Sequence, residues 1–195
     1  MKHLMVMLVL LMGGFSASGQ QLYAAVDTVS TEDKNGNMIG ELKWGYKNMA
    51  GEWVIYPVFD HAGKFFEGMA TVGLLQDRKT WKYGFIDETG KLVVPLMYDE
   101  VGNFSEGLAF VAILNIVWED KPADSQYNKI GYIDKTNKMV IQLPEELSKP
   151  TSKCYYKGQP FASGLAKMYG SQPAQCPSLQ PLGVYRDGRV IMMQE

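Results

Sequence analysis

The phrase KFFEGMATV, residues 64 to 72, returns 39 positions later as NFSEGLAFV, residues 103 to 111, and again more loosely as PFASGLAKM, residues 160 to 168. Repetition at a fixed period of this size constrains the fold before any single residue is read. Each copy is one supersecondary unit that buries its apolar face against the next. Residues 44–72 lie over residues 83–111 without a gap; a third copy starts at 130, runs through a longer insertion and finishes at 168, and a fourth spans 182–192. Residues 22–26, LYAAV, resemble the last strand of a preceding copy. The expected organisation is three full units, 44–72, 83–111 and 130–168, between half units at 22–26 and 182–192, all in one domain over 20–195.

Turn chemistry defines each unit. Asn48, Asp87 and Asp134 stand three residues before Gly51, Gly90 and Asn137. An Asx at position i and a residue tolerant of positive φ at i+3 is what a type I turn closing a short hairpin requires. β-rich runs flank the turns, Phe85 and Ile86 before and Leu92 to Val94 after, with the same arrangement in the third copy. Farther on, Phe65, Phe104 and Phe161 each precede by three residues Gly68, Gly107 and Gly164. A phenylalanine at one fixed place per unit reads as a core plug, and the glycine as part of a repeated corner. Ala70, Ala109 and Ala166, held beside those glycines, suggest a close approach of neighbouring backbones, where a larger side chain would overpack. The fold expected is all-β: tandem units of about three antiparallel strands, stacked as an open solenoid-like or propeller-like array.

The string W-G-Y, the turn, the paired β-branched residues, the aromatic-Asp pairs Phe59-Asp60 and Tyr98-Asp99, and F-S-E-G-L-A together resemble the WG-repeat (KWG-repeat) family of bacterial proteins. The resemblance covers roughly 44 to 192 and is densest in the first two copies; the third lacks the aromatic-Asp pair. It implies a β-rich repeat scaffold and supplies no catalytic residues.

Residues 1–19 read as a secretory signal peptide with cleavage after Gly19. Lys2 precedes an apolar run from Leu4 to Met12 and an exit of small residues. That run fits an h-region and is shorter than the roughly 20 residues of a membrane span. Export to the periplasm, the cell surface or the medium follows, with no transmembrane span after cleavage. The chain carries a net charge of −2, and loss of Lys2 makes it one unit more negative. That is no nucleic-acid footprint. In an exported chain Cys154 and Cys176 read as a structural disulfide. Two cysteines and the single mature histidine, His61, do not make a four-ligand metal site, and no cofactor is expected.

Chemistry beyond the scaffold is sparse. His61 aligns with Glu100 of the next copy and is a poor candidate for a catalytic base. Asp60 with Asp99, Asp87 with Asp134, and Glu67 with Glu106 recur in register, which favours turn and corner duties over a unique acid–base pair. DKNGN, residues 33 to 37, lacks the closing Glu of a calcium loop and reads as a hairpin turn. The chain is therefore expected not to be an enzyme. The connections 73–83, 112–130 and 169–182 leave one edge of the array, and insertions on one face of a repeat protein often mark a binding face. Trp81, Trp118 and Tyr127 lie there as candidate contacts for a protein or cell-envelope partner, or for a glycan in the alternative reading. Trp53, on a strand between Glu52 and Val54, is the weakest exposed-aromatic candidate.

Overall fold

A computed structural model describes residues 21–33, 35–77, 79–114, 128–148, 154–170 and 179–193. The first sheet comprises β1 (Tyr23–Glu32), β2 (Met38–Lys47) and β3 (Trp53–Phe59). The second comprises β4 (His61–Phe66), β5 (Met69–Gln76), β6 (Thr80–Asp87) and β7 (Leu92–Tyr98). The third holds β8 (Glu100–Val101), β9 (Ala109–Ile113), β10 (Lys129–Ile133) and β11 (Met139–Gln142), and the short helix α1 (Glu145–Ser148) follows. The fourth holds β12 (Tyr156–Gly158), β13 (Leu165–Gly170), β14 (Leu182–Tyr185) and β15 (Val190–Met192). Each sheet is an antiparallel meander in chain order.

The all-β tandem array is as expected, but the sheets straddle the sequence copies. β5, which ends one copy, pairs with β6, which opens the next, along the full register Met69↔Asp87 to Gln76↔Thr80. β9 pairs with β10 and β13 with β14 in the same manner. The sheets carry four strands, not three, because the stretch before the repeated corner forms a short strand of its own. Among the described residues the first sheet has three.

Three apolar cores lie between successive sheets. Tyr46, Ile55, Ala70, Val72 and Ile86 fill the first; Phe85, Val94, Phe104, Val111 and Ile133 belong to the second; Phe110, Tyr132, Phe161, Met168 and Leu182 belong to the third. The central strands serve two cores at once. Along β9, Ala109 and Val111 face one core while Phe110 and Ala112 face the other, as the two-residue period of a strand demands. The plug phenylalanine meets the aromatic after the WG-type glycine: Phe65 with Tyr46 at 4.9 Å, Phe104 with Phe85 at 4.8 Å, and Phe161 with Tyr132 at 4.9 Å between ring centroids. Among the described residues no such core joins the first sheet to the fourth, so the stack is open.

The Asx turns form as the spacing requires. Gly51, Gly90 and Asn137 have φ of 83°, 86° and 65° and donate to the carbonyls of Asn48, Asp87 and Asp134 at 2.9 to 3.1 Å. The Asx carboxyl or amide oxygen of each also accepts two backbone N–H groups. DKNGN proves to be the same turn, with Asp33 in the Asx place and Gly36 at φ 86°.

The repeated corners are tight turns, each followed by a fully buried alanine, Ala70, Ala109 or Ala166. Gly68, Gly107 and Gly164 do not sit where backbones crowd; an added Cβ would meet nothing within 4 Å. They have φ of 78°, 80° and 76°, directly after Glu67, Glu106 and Ser163 at 52°, 52° and 53°. Two successive positive φ values make a tight two-residue hairpin of the I′ kind. The crowded glycines are those after the repeat's opening residue: a Cβ on Gly45 would lie 2.4 Å from the Ile55 carbonyl oxygen, and one on Gly84 2.3 Å from that of Val94. Opposite them the partner strand bulges, three residues facing one, with Pro57 and Pro95 in the bulge.

The corner acids explain why E-G recurs. Glu67 Oε2 accepts from the Gly107 N–H at 3.0 Å, and Glu106 Oε2 from the Gly164 N–H at 2.9 Å, so each corner caps the next. Lys135 donates to the Glu67 carbonyl oxygen at 2.6 Å, and Ser105 to that of Phe161 at 2.7 Å. Removing the cap by Glu106→Ala leaves a half-buried N–H without its acceptor and is expected to cost about 1–2 kcal/mol in urea unfolding. Glu106→Gln keeps an acceptor at the same backbone strain and should stay within about 0.5 kcal/mol of the parent. Equal losses in the two variants would refute the cap.

Candidate functional site

The recurring aspartates are structural clips. Asp60 Oδ1 accepts from Lys43 Nζ at 2.6 Å while its Oδ2 accepts from the Leu75 N–H at 2.9 Å; Asp99 binds Lys82 at 2.7 Å and the Leu114 N–H at 2.7 Å. One carboxylate thus ties the strand that opens a copy to the strand that closes it. Both oxygens are engaged, which suits a clip and not a proton-transfer group.

An open cleft of about 570 Å³ lies between the second and third sheets, and Asp99 is part of its lining. One wall is aromatic. Trp81 and Tyr83, two residues apart on β6 and so on one face, lie nearly parallel, with 10° between ring planes and 5.7 Å between centroids. His61 of β4 packs edge-on against Tyr83 at 5.6 Å. Burial holds the imidazole below its ordinary pKa, so it is neutral near pH 7. Burial, and secondarily the charge of Glu100, raise the Tyr83 phenol.

The facing wall is polar. Glu100 comes from β8 of the third sheet, with Asp99 just before that strand and Asn103 just after it, and Lys157 reaches in from β12 of the fourth. Lys157 Nζ stands 3.0 Å from Glu100 Oε2, and the Tyr155 hydroxyl donates to Glu100 Oε1. Burial, reinforced by that bond, pushes the Tyr155 phenol well above its usual value, so it remains a donor. Glu100 is held from two sides, and Gly63, Lys64, Phe66, Thr71 and Val101 complete the lining.

Of the residues expected to bind, Trp81 lies in this cleft with 36% of its surface exposed. It does so from a strand and not from a loop. β5 and β6 extend the connection expected over 73–83 into a hairpin whose link is only 77–79, and Trp81 pairs with Leu75. Trp118 and Tyr127 lie outside the described residues, as do most of the two longer connections and residues 1–19. Trp53 sits under the Lys47 ammonium, 4.4 Å from its ring centroid, and covers the sheet. Cys154 is no free thiol, and Cys176 lies outside the described residues.

The cleft brings in His61, Tyr83, Glu100, Asn103 and Lys157, none of which stood out as a binding residue in the sequence. For His61, Glu100 and Asn103 the signal was a departure from register, whereas Tyr83 stands at the recurring place of Trp44. His61 aligns with Glu100, Lys64 with Asn103, and Trp81 with Leu42 and Asn128, while plug, corner and clip residues recur.

Residues 44–74 and 83–115 each match the family model of the WG containing repeat. The chain thus contains WG repeats. In the WG repeats of this chain, the glycine of the motif is the crowded one beneath the bulge, and the lysine before the Trp or Tyr is the partner of the clip aspartate. No curated protein and no solved structure matches the chain.

Proposed function

We propose that this WG-repeat protein is an exported, non-catalytic scaffold that holds a cell-envelope partner at the cleft between its second and third sheets. The observation that carries the reading is the division of labour among positions. Residues repeated from copy to copy fill cores, turns and clips, whereas His61, Lys64, Trp81, Glu100 and Asn103 of the cleft differ in type from the residues at the same register in the neighbouring copy. A surface with exposed aromatics beside fixed polar groups is a recognition surface in chemical terms. The carboxylates nearest to it, Asp99 and Glu100, are both committed to lysines, which favours binding over acid–base work.

Export and a Cys154–Cys176 bridge belong to the same proposal. Closing a loop of about 22 residues would add roughly 3 kcal/mol in the chain-entropy model. The test is a pull-down from the envelope fraction using the exported protein and its Trp81→Ala variant, with the bait checked by mass spectrometry. A mature chain starting at Gln20, with neither cysteine alkylated before reduction, and a partner retained by the parent but lost from the variant, is the expected result. Equal recovery by both baits would reject the cleft as the binding surface.

A further inference from the structure

We propose that the ligand of the cleft is a pyranose saccharide, stacked on Trp81 and read through its hydroxyls by the opposite wall. This rests on the cleft being the binding surface and names what it binds.

The chemistry of the two walls is what sets the class. A pyranose ring has one face of C–H groups and a rim of hydroxyls, so it needs a flat apolar surface and, beside it, groups that both donate and accept. Trp81, 36% exposed, supplies the flat surface; its ring is stacked parallel on Tyr83, which the edge of His61 braces in turn. The opposite wall supplies both kinds of polar group: the Asn103 amide donates and accepts, Glu100 accepts, and Lys157 donates. Glu100 is already oriented by Tyr155 and Lys157, so it costs little ordering entropy to use.

Other ligand classes fit less well. An apolar peptide side chain would have to desolvate the Glu100–Lys157 pair without replacing its hydrogen bonds, which is unfavourable. The lining sets Lys64 and Lys157 against Asp99 and Glu100, so no excess of positive charge draws a polyanion in. The cleft volume is in the range of small-ligand sites, and its open form suits a chain end or an inner unit of a polysaccharide.

The test uses the mature protein, its Trp81→Ala and Asn103→Ala variants, and Trp53→Ala as a control away from the cleft. Probes are a hexamer of β-1,4-linked N-acetylglucosamine, maltohexaose and a soluble muramidase digest of peptidoglycan, titrated to the order of 10 mM with Kd read by NMR shifts of the Trp indole N–H signals. The expected result is saturable binding of at least one probe, with the Trp81 indole shifting most. Trp81→Ala should weaken it about tenfold or more and Asn103→Ala severalfold, with Trp53→Ala unchanged. Absence of any shift with all three probes overturns the proposal, as does binding that survives both cleft variants. If the envelope partner is retained through Trp81 but is destroyed by protease and not by glycosidase, the cleft reading stands and the saccharide assignment falls.

Discussion

Gly84→Ala should destabilise the protein by about 3 kcal/mol or more, measured as the fall in unfolding free energy in urea. The new Cβ would lie 2.3 Å from the Val94 carbonyl oxygen and 2.7 Å from that of Pro95. Both obstacles are backbone, held by the bulge in which Pro95 sits, so neither can rotate away as a side chain would. Two other glycines serve as internal controls. Gly107→Ala meets open space and suffers only the strain of φ 80°, roughly 1–2 kcal/mol. Gly183→Ala meets side-chain atoms of Ile191 at 3.1 Å and of Leu165 at 3.3 Å, which can give, and should cost about 1 kcal/mol. A Gly84 variant no worse than the Gly107 variant would show that crowding beneath the bulge is not what fixes glycine in the motif.

The second large effect belongs to the core plug. Phe104 is 2% exposed and packs edge-on against Phe85 in the core between the second and third sheets. Phe104→Ala should cost about 3–5 kcal/mol, through lost burial and an incompletely filled cavity. Because each sheet of a stacked array leans only on its neighbours, the loss weakens one interface directly. Phe65→Ala should cost less, since Phe65 is only half-buried. Guanidinium unfolding followed by circular dichroism ranks the two, and equal losses would mean the plug positions are not graded by burial.

What could be read from the chain divides along the same line as its residues. Positions governed by local rules were legible: Asp87 and Gly90 specify their turn within four residues, and a phenylalanine repeated at Phe65, Phe104 and Phe161 has to be core. Gly68, Gly107 and Gly164 were legible as corners, but Gly45 and Gly84 were not legible as crowded positions, because a glycine needed for positive φ and one needed for space look alike in sequence. Only the neighbouring strand tells them apart, and the strand that crowds Gly84 is shaped by a bulge around Pro95. The repeat's boundaries misled about the sheets for a related reason. A period states where the pattern restarts, and any point within it can be the sheet edge.

The cleft was the least legible part. Trp81 stood out by its type, yet its partners come from three sheets: Tyr83 and His61 from the second, Glu100 from the third with Asn103 just after its strand, Lys157 from the fourth. Separations of up to a hundred residues carry no local signature. His61 in particular looked like a variable turn position, and the variability itself was the informative property. Where a repeat protein stops repeating on a stacked face, the constraint from packing has been lifted and another can act.

The pairing of one copy with the next is the claim from which cores, corner caps and cleft all follow. Cross-strand NOE contacts in isotope-labelled mature protein test it most directly. The account predicts backbone contacts from Thr71 to Phe85, from Val111 to Gly131 and from Ala166 to Val184, each joining two copies. Contacts of Thr71 confined to residues 44–72, with none to residues 80–87, would contradict it.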